Sequence, residues 1–475
     1  MNRPIIQLLR SVPTGILLAL ACLPVGLLLT LLIYGAALEG YFISDDFVWL
    51  EVARRGLDSP IHLFDRDVGN FYRPTAHLFN LLLVAGWGYS PAALHWGALL
   101  LHGLNLALLP ALAWALTGQR WLALCTGLIF AILQRHHEAL IWISAINEPL
   151  YGFWMLCCLL AWRAFLHRPT LAPYLLSLAS LVLAMGTKEV AVTLPLLMGL
   201  VHVWLRRQGR AAPLSWSRYL PVAGILLLFT LLQARVYSQS GLVGSRQFLL
   251  EPAALIRLGR MALSALGPIW IFLPVALIGL LMNRSARSPR ALPRLAWAAI
   301  VLAAALACTL LLYAPITWGP AASRFYYTPS MVVSLAGAAA LALAAGSGRI
   351  LPQLLALAAA VGLVLLNVWQ VDEKLDLYLQ DAARSRRYIT RARLLPAPEV
   401  PIQILDCPLP SQHMSAAMAV FHPSHSRNFS CISRSELLRI SGPRWVWRWL
   451  PRFEKFAVIE RRTNRMEQGR RNQGK

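Results

Sequence analysis

Two adjacent carboxylates, Asp45 and Asp46, follow the first long apolar run of the chain, and Phe42, Ile43, Phe47, Val48 and Trp49 flank them. Six of the 21 acidic residues fall between Tyr41 and Pro74, in YFISDDFVWLEVARRGLDSPIHLFDRDVGNFYRP. Carboxylates beside a membrane span are costly unless they face water, a partner or a substrate. Apolar surroundings raise a carboxylate's pKa, and a close like charge raises one of a pair further. An acid prepared in this way can act as general base toward a sugar or protein hydroxyl. Adjacent acids also suit a divalent cation, and a purely structural pair is the third reading. All three stand on residue types alone, with the base preferred.

Four further clusters carry charge. Arg73, beside Tyr72, either binds substrate or pairs with Asp65 or Asp67. His136, His137 and Glu138 are contiguous, which is not the HExxH spacing that puts two imidazoles on one helical face around zinc. Lys188 and Glu189 separate two apolar stretches and are expected to be ion-paired. Arg324, in WGPAASRFYYTPS with Tyr327 close by, offers a planar fork suited to phosphate.

The elements that must position these residues are membrane helices. A 57% hydrophobic content with 14% charged residues and a mean hydropathy of +0.56 describe a polytopic membrane protein. Apolar runs near the roughly 20 residues of a span recur from about Thr14 to Trp369, giving about eleven spans. The net charge of +23 comes with no nucleic-acid motif, and arginine collects in cytoplasmic loops for topological reasons. Lipid headgroups and lipid phosphates are therefore the expected partners, and nucleic acid is not. The acid-free loops RRQGR and NRSARSPRALPR lie inside by this rule. Every chemical cluster then falls outside, as does the C-terminus. The apolar stretch in YRPTAHLFNLLLVAGWGYS reads as an interfacial helix.

After about Val371 the composition changes to that of a small α+β domain. PEVPIQILDCPLP and AAMAVFHPSHSRNFSCI read as short strands and turns, and Trp445, Trp447 and Trp449 alternate with the period of a strand. The core face of that strand is the expected place of the indoles. Five of the seven cysteines lie in apolar runs as small hydrophobes. Cys407 and Cys431 share the outer domain, where a disulfide is permitted. Asn428 opens a glycosylation sequon. Residues 1–370 thus form a transmembrane domain, with 38–90 its first external loop, and 371–475 a soluble extracytoplasmic domain.

SDDF after the first helix resembles the acidic motif of the C-type glycosyltransferases, which use polyprenyl-phosphate sugars. FYRPTAHLFNLLL with LHWGALLLHGLNLAL, then HHEALIWISA, TKEVAVTLPLLM and SRFYYTPSM, are similar in order and spacing to the membrane half of the transmembrane and tetratricopeptide-repeat O-mannosyltransferases and their bacterial relatives. The resemblance spans roughly Tyr41 to Gly346. No tetratricopeptide array follows, and the acid pair is Asp-Asp where the O-mannosyltransferases have Asp-Glu.

The resemblance implies an all-α polytopic glycosyltransferase of the cytoplasmic membrane, with its active site in an external groove. It would move a monosaccharide from a polyprenyl-phosphate donor to a hydroxyl acceptor, with inversion. Asp45 would be the base and Asp46 its close second. Arg324 and Lys188 would stabilise the leaving phosphate, with Arg73 third. Tyr72, His136, His137, Glu138, Glu189 and Tyr327 would complete the substrate site. No cofactor is required, and a divalent cation is optional. A lipid-linked oligosaccharide polymerase or ligase shares this topology. A transporter would instead place charges at mid-bilayer and show internal repeats, and a non-catalytic scaffold would tolerate loss of the acids.

Overall fold

The computed structural model describes residues 14–64, 71–211, 213–238, 251–283, 286, 288–289, 291–316, 322–392, 395, 402–405, 407–423, 429–439, 444–450, 453 and 455–462. Asp65, Asp67 and Asn428 lie outside these residues. Among those described, eight helices are long and apolar enough to cross a membrane. They include Ala19–Glu39, Pro91–Thr117, Ile143–His167, Ser323–Ala345 and Ile350–Ala392. The expected single span over Met261–Met282 is instead a pair, Ala253–Ile269 and Phe272–Met282, bent by 73°. Pro268 sits at the bend, where a missing N–H interrupts the helical ladder. The two shorter apolar helices, Arg120–Ile132 and Leu171–Met185, would have to be counted with these to reach eleven.

The chain divides into two compact units. The first comprises Met1–Ala36, Asn70–Ala76 and His95–Leu375. The second comprises Ala37–Gly69, His77–Leu94 and Asp376–Lys475, so the acidic loop and the tail fall together.

In the first unit Trp162, Tyr151, Phe130 and Phe165 are fully buried. A polar layer runs through this apolar interior. The Tyr327 hydroxyl is 2.9 Å from His102 Nδ1 and accepts from Asn105 Nδ2 at 2.9 Å. The rings of Phe130 and His136 pack around it. The Leu171–Met185 helix ends at Gly186, whose carbonyl accepts from the Thr75 N–H at 2.8 Å. A Cβ at Gly186 would come within 2.4 Å of Thr75 Oγ1, so only glycine permits the approach.

In the second unit β1 (Ile402–Leu405), β2 (Phe429–Ile432), β3 (Arg444–Leu450) and β4 (Lys455–Arg462) form one sheet in the order β2-β1-β3-β4. Strand β1 is parallel to both neighbours, and β4 closes the edge antiparallel to β3. All four β1 residues are buried, as a central parallel strand requires. The segment AAMAVF, expected as strand, is helix Ser411–Phe421. It is rich in alanine and methionine, good helix formers, and it makes the crossover that parallel β1 and β2 need.

The tryptophan alternation is strand β3, but its indoles divide. Trp449 is buried against Tyr388 and Phe456, while Trp445 and Trp447 stack on each other and stay half-buried. Val446 faces the other way, into a core with Leu405 and Ile432. A single helix, Ile350–Ala392, covers both the last apolar run and the first charged stretch of the tail.

Cys407 and Cys431 form a disulfide that ties the end of β1 to β2 across a sequence separation of 24. Closing a loop of that length stabilises by about 3 kcal/mol in the chain-entropy model. Replacing both cysteines by serine should therefore lower the unfolding midpoint of the second unit. Near-UV circular dichroism during thermal unfolding, with and without reductant, would read this, and an unchanged midpoint would contradict it.

Candidate functional site

Each unit carries one chemical constellation. In the second unit the chain turns from Gly40 into the Asp46–Asp58 helix through SDDF. A Cβ at Gly40 would lie 2.7 Å from the Tyr378 ring, so the chain can pass there only as glycine. The Tyr378 hydroxyl donates to the Tyr41 carbonyl at 3.0 Å. Ser44 has φ of 49°, the single positive φ among the described non-glycine residues. Such a conformation costs on the order of 1–3 kcal/mol and persists only where the surroundings enforce it.

That turn separates the two carboxylates. Asp46 is fully buried, and its Oδ2 accepts the Ile43 N–H at 2.8 Å, closing the turn. The Asp45 side chain is 36% exposed, and its Oδ1 lies 2.7 Å from His413 Nε2. His413 is itself only 6% exposed and stands on the Ser411–Phe421 helix. At the other end of that helix, Phe421 packs against Tyr41, Phe42, Phe47 and Tyr89. The helix thus clamps the acidic turn with one ring cluster and one hydrogen bond. An imidazole N–H donated to Oδ1 leaves Oδ2 as the oxygen able to receive a proton.

In the first unit every cation singled out from sequence meets a glutamate. Arg324 pairs with Glu138, whose Oε2 also accepts from the Arg324 backbone N–H at 3.2 Å and from Ser323 Oγ at 3.1 Å. Its guanidinium sits 4.7 Å from the centroid of the Trp142 ring and 5.0 Å from that of Phe325. Lys188 pairs with Glu148, and its ammonium faces the rings of Tyr313 and Phe325 at 5.1 and 5.4 Å. Arg73 donates from Nε and Nη2 to Glu189 Oε2 at 3.1 and 2.8 Å. The local partners expected for Arg73, Asp65 and Asp67, lie outside the described residues, and the carboxylate it meets is 116 residues away in sequence.

Burial ranks these cations. The side chain of Arg324 is 23% exposed, that of Arg73 11% and that of Lys188 3%. Arg324 is therefore the cation best able to meet a ligand, and Lys188 is built into the wall. Tyr72 is bound through its backbone to the Gln233 amide in both directions. His137 Nδ1 lies 2.7 Å from the Gln134 carbonyl, and its Nε2 is 3.4 Å from Ser323 Oγ. His136 and Tyr327 are fully buried. Burial holds the His136 imidazole well below its usual pKa, and His102 and His137 push it the same way. His136 is thus neutral and contributes no charge toward an anion. Among the described residues no three His, Cys, Asp or Glu side chains are arranged to hold a metal ion.

Two residues of these constellations were not singled out from sequence. Glu148 lies inside an apolar helix start, INEPLYGF, where an isolated acid is itself the signal. His413 sits in the tail with no local pattern to mark it.

No family model matches the chain, and no curated protein matches it. Solved structures do. ArnT from Cupriavidus metallidurans, crystallised bound to undecaprenyl phosphate, is 13% identical over 93% of this chain and 94% of its own, with a TM-score of 0.50. The Archaeoglobus fulgidus oligosaccharyltransferase, crystallised with Zn and sulfate, is 12% identical over 87% of this chain and 62% of its own, with a TM-score of 0.51. At these identities the likeness establishes the fold. It is the C-type glycosyltransferase fold that the sequence motifs resemble.

The Lys188–Glu148 pair gives a stability test. Removing one partner of a buried pair leaves an uncompensated charge and costs about 3–5 kcal/mol, whereas replacing both by apolar residues is often tolerated. Lys188→Met should lower the thermal midpoint in detergent sharply, and adding Glu148→Leu should restore much of it. Equal midpoints for wild type and Lys188→Met would show that the pair is not what holds this region.

Proposed function

We propose that the protein is an integral membrane glycosyltransferase that moves a monosaccharide from a polyprenyl-phosphate donor to a hydroxyl acceptor, with inversion. The observation that carries this reading is Asp45: a half-exposed carboxylate on a constrained turn, oriented by His413, in an SDDF motif within a C-type fold. The undecaprenyl phosphate bound by the fold neighbour ArnT supports a lipid-phosphate donor.

Asp45 Oδ2 accepts the proton of the acceptor hydroxyl as its oxygen attacks the anomeric carbon in line. The bond from that carbon to the phosphate oxygen breaks, and the electron pair leaves with the lipid phosphate. That leaving group is already anionic, so it needs electrostatic stabilisation rather than a general acid. Arg324 supplies it, with Glu138, Ser323 and the ring of Trp142 fixing the guanidinium. Within the first unit the Lys188–Glu148 and Arg73–Glu189 pairs brace the region of Arg324, and within the second Asp46 holds the turn. The chemistry proceeds with no cofactor, and a divalent cation is optional. The active face and the tail are assigned to the external side of the cytoplasmic membrane by the arginine bias.

Orientation is testable first. A reporter fused after Arg290 should be cytoplasmic and one after Gln380 external, and the same compartment for both would sink the assignment.

The chemical test uses purified protein with a polyprenyl-phosphate sugar and an envelope extract as the source of hydroxyl acceptor, and reads lipid phosphate released by mass spectrometry. Asp45→Asn should bind donor normally while turnover falls by roughly 100-fold or more, the scale of general-base catalysis. Arg324→Ala should weaken donor binding and turnover together, because its phosphate contact is present in the ground state and strengthens as the leaving group gains charge. Asp46→Asn should act mainly on stability. Normal turnover in Asp45→Asn, Asp46→Asn and the double variant would end the catalytic reading of this turn.

A further inference from the structure

The first unit contains a large cavity that the transfer chemistry does not use. Its volume is about 1170 Å³, above the roughly 300–1000 Å³ of sites for small molecules. Its walls are mostly leucine, valine and alanine from several of the spanning helices. One end is different: Arg207, Arg210 and Arg294 line it together with Trp204, Trp297 and Asn283. We propose that this cavity is a specific site for an anionic glycerophospholipid of the inner leaflet, with the phosphate at Arg207 and Arg294 and the acyl chains along the apolar walls.

Charge complementarity carries the argument. Among the described residues no carboxylate pairs with Arg207, Arg210 or Arg294. The segment from Asn283 to Arg294 contains no acid at all. In the first unit's other constellation each of the three cations has its own glutamate, whereas the arginines that line this cavity face it without one. Arg210 is committed to structure, since it donates to the Ala115 and Leu116 carbonyls at 2.8 Å and caps the end of the Pro91–Thr117 helix. Arg207 and Arg294 are exposed. Arg207 lies 4.5 Å above the Trp297 ring, which fixes its direction while leaving its N–H groups to an outside acceptor. Arginine and tryptophan together at one end of an apolar cavity mark the headgroup level of a bilayer.

Depth selects the kind of lipid. The lining runs from Leu197 to Arg207 along the Leu194–Arg207 helix and from Pro293 to Thr309 along the Ala291–Leu310 helix, roughly 15 to 24 Å at 1.5 Å per residue. That is about half to four-fifths of the ~30 Å hydrocarbon core, a depth that acyl chains can fill. A two-chain phospholipid matches this depth, whereas a long polyprenyl chain exceeds it. The same arginines are those that place this end at the cytoplasmic face, where anionic lipid supplies the complementary charge. This inference stands apart from the proposed transfer reaction and does not rest on it.

The test is native mass spectrometry of the full chain, extracted from vesicles of equal phosphatidylglycerol and phosphatidylcholine. Wild type should retain phosphatidylglycerol roughly 30-fold over phosphatidylcholine, about 1 kcal/mol from each of two arginines. In Arg207→Gln with Arg294→Gln the preference should fall by roughly 30-fold, since each such arginine contributes about 1 kcal/mol and 1.4 kcal/mol is tenfold. Ala298→Phe fills the apolar wall and keeps every arginine, so it should release the bound lipid with the thermal midpoint preserved. Equal retention of both lipids by wild type would identify ordinary annular lipid and overturn the proposal. So would an undiminished preference in the double variant, or displacement of the phospholipid by added undecaprenyl phosphate at equal concentration.

Discussion

Placing ionised groups inside a membrane bundle is costly unless each finds a partner, and the first unit is organised by that constraint. Lys188 is almost completely buried and could not remain charged there without Glu148. Arg73 meets Glu189, and Arg324 meets Glu138. These bonds join segments 116, 40 and 186 residues apart in sequence. They therefore fix tertiary positions that an all-leucine interface would leave free to slide. Phe325 extends the network, since its ring faces both Arg324 and Lys188. A ligand phosphate arriving at Arg324 would meet a cation whose direction is already set by Glu138 and Trp142. Preorganisation of that kind is what makes an electrostatic contact effective during reaction.

The acidic turn of the second unit obeys a related constraint by a different route. Two adjacent carboxylates in apolar sequence repel each other, and the fold resolves this by giving them separate partners. Asp46 turns inward to the Ile43 N–H, and Asp45 turns outward to His413. The strained φ at Ser44 is the backbone cost of that divergence. Phe42, Phe47 and Phe421 supply the apolar contact that offsets it. The result is one structural acid and one available acid from an identical pair of residues.

How much of this was legible in the sequence depended on the range of each interaction. Apolar runs announce spanning helices locally, so the membrane class and most helices were readable, as was the strand of alternating tryptophans. The bend at Pro268 was missed because a run of leucine, alanine and isoleucine looks continuous while a proline breaks it. The Ser411–Phe421 segment was misread as strand because its short apolar run has no decisive period, and only the parallel pairing of β1 with β2 demands a helix there. Charged residues were easy to find and hard to pair. Arg73 has acids close by in sequence yet binds Glu189. His413 has no neighbourhood signal at all, because its meaning comes entirely from Asp45.

That last contact bears on what the tail is for. The helix carrying His413 also carries Phe421, so one rigid element both orients the candidate base and packs the turn that presents it. β1 and Cys407 lie just before this helix in sequence, and β2 with Cys431 lies just after it, so the disulfide joins its two flanks. Its position is thus held by the sheet at both ends. A tail of this design is not a passive appendage to the acidic loop. Removing it would expose Phe42 and Phe47 and leave Asp45 without its imidazole, and the strain at Ser44 would keep only the local Asp46–Ile43 hydrogen bond to sustain it. The carboxylate identified from the first loop alone is therefore a property of two distant segments, and the sheet of the tail is the part that makes its geometry permanent.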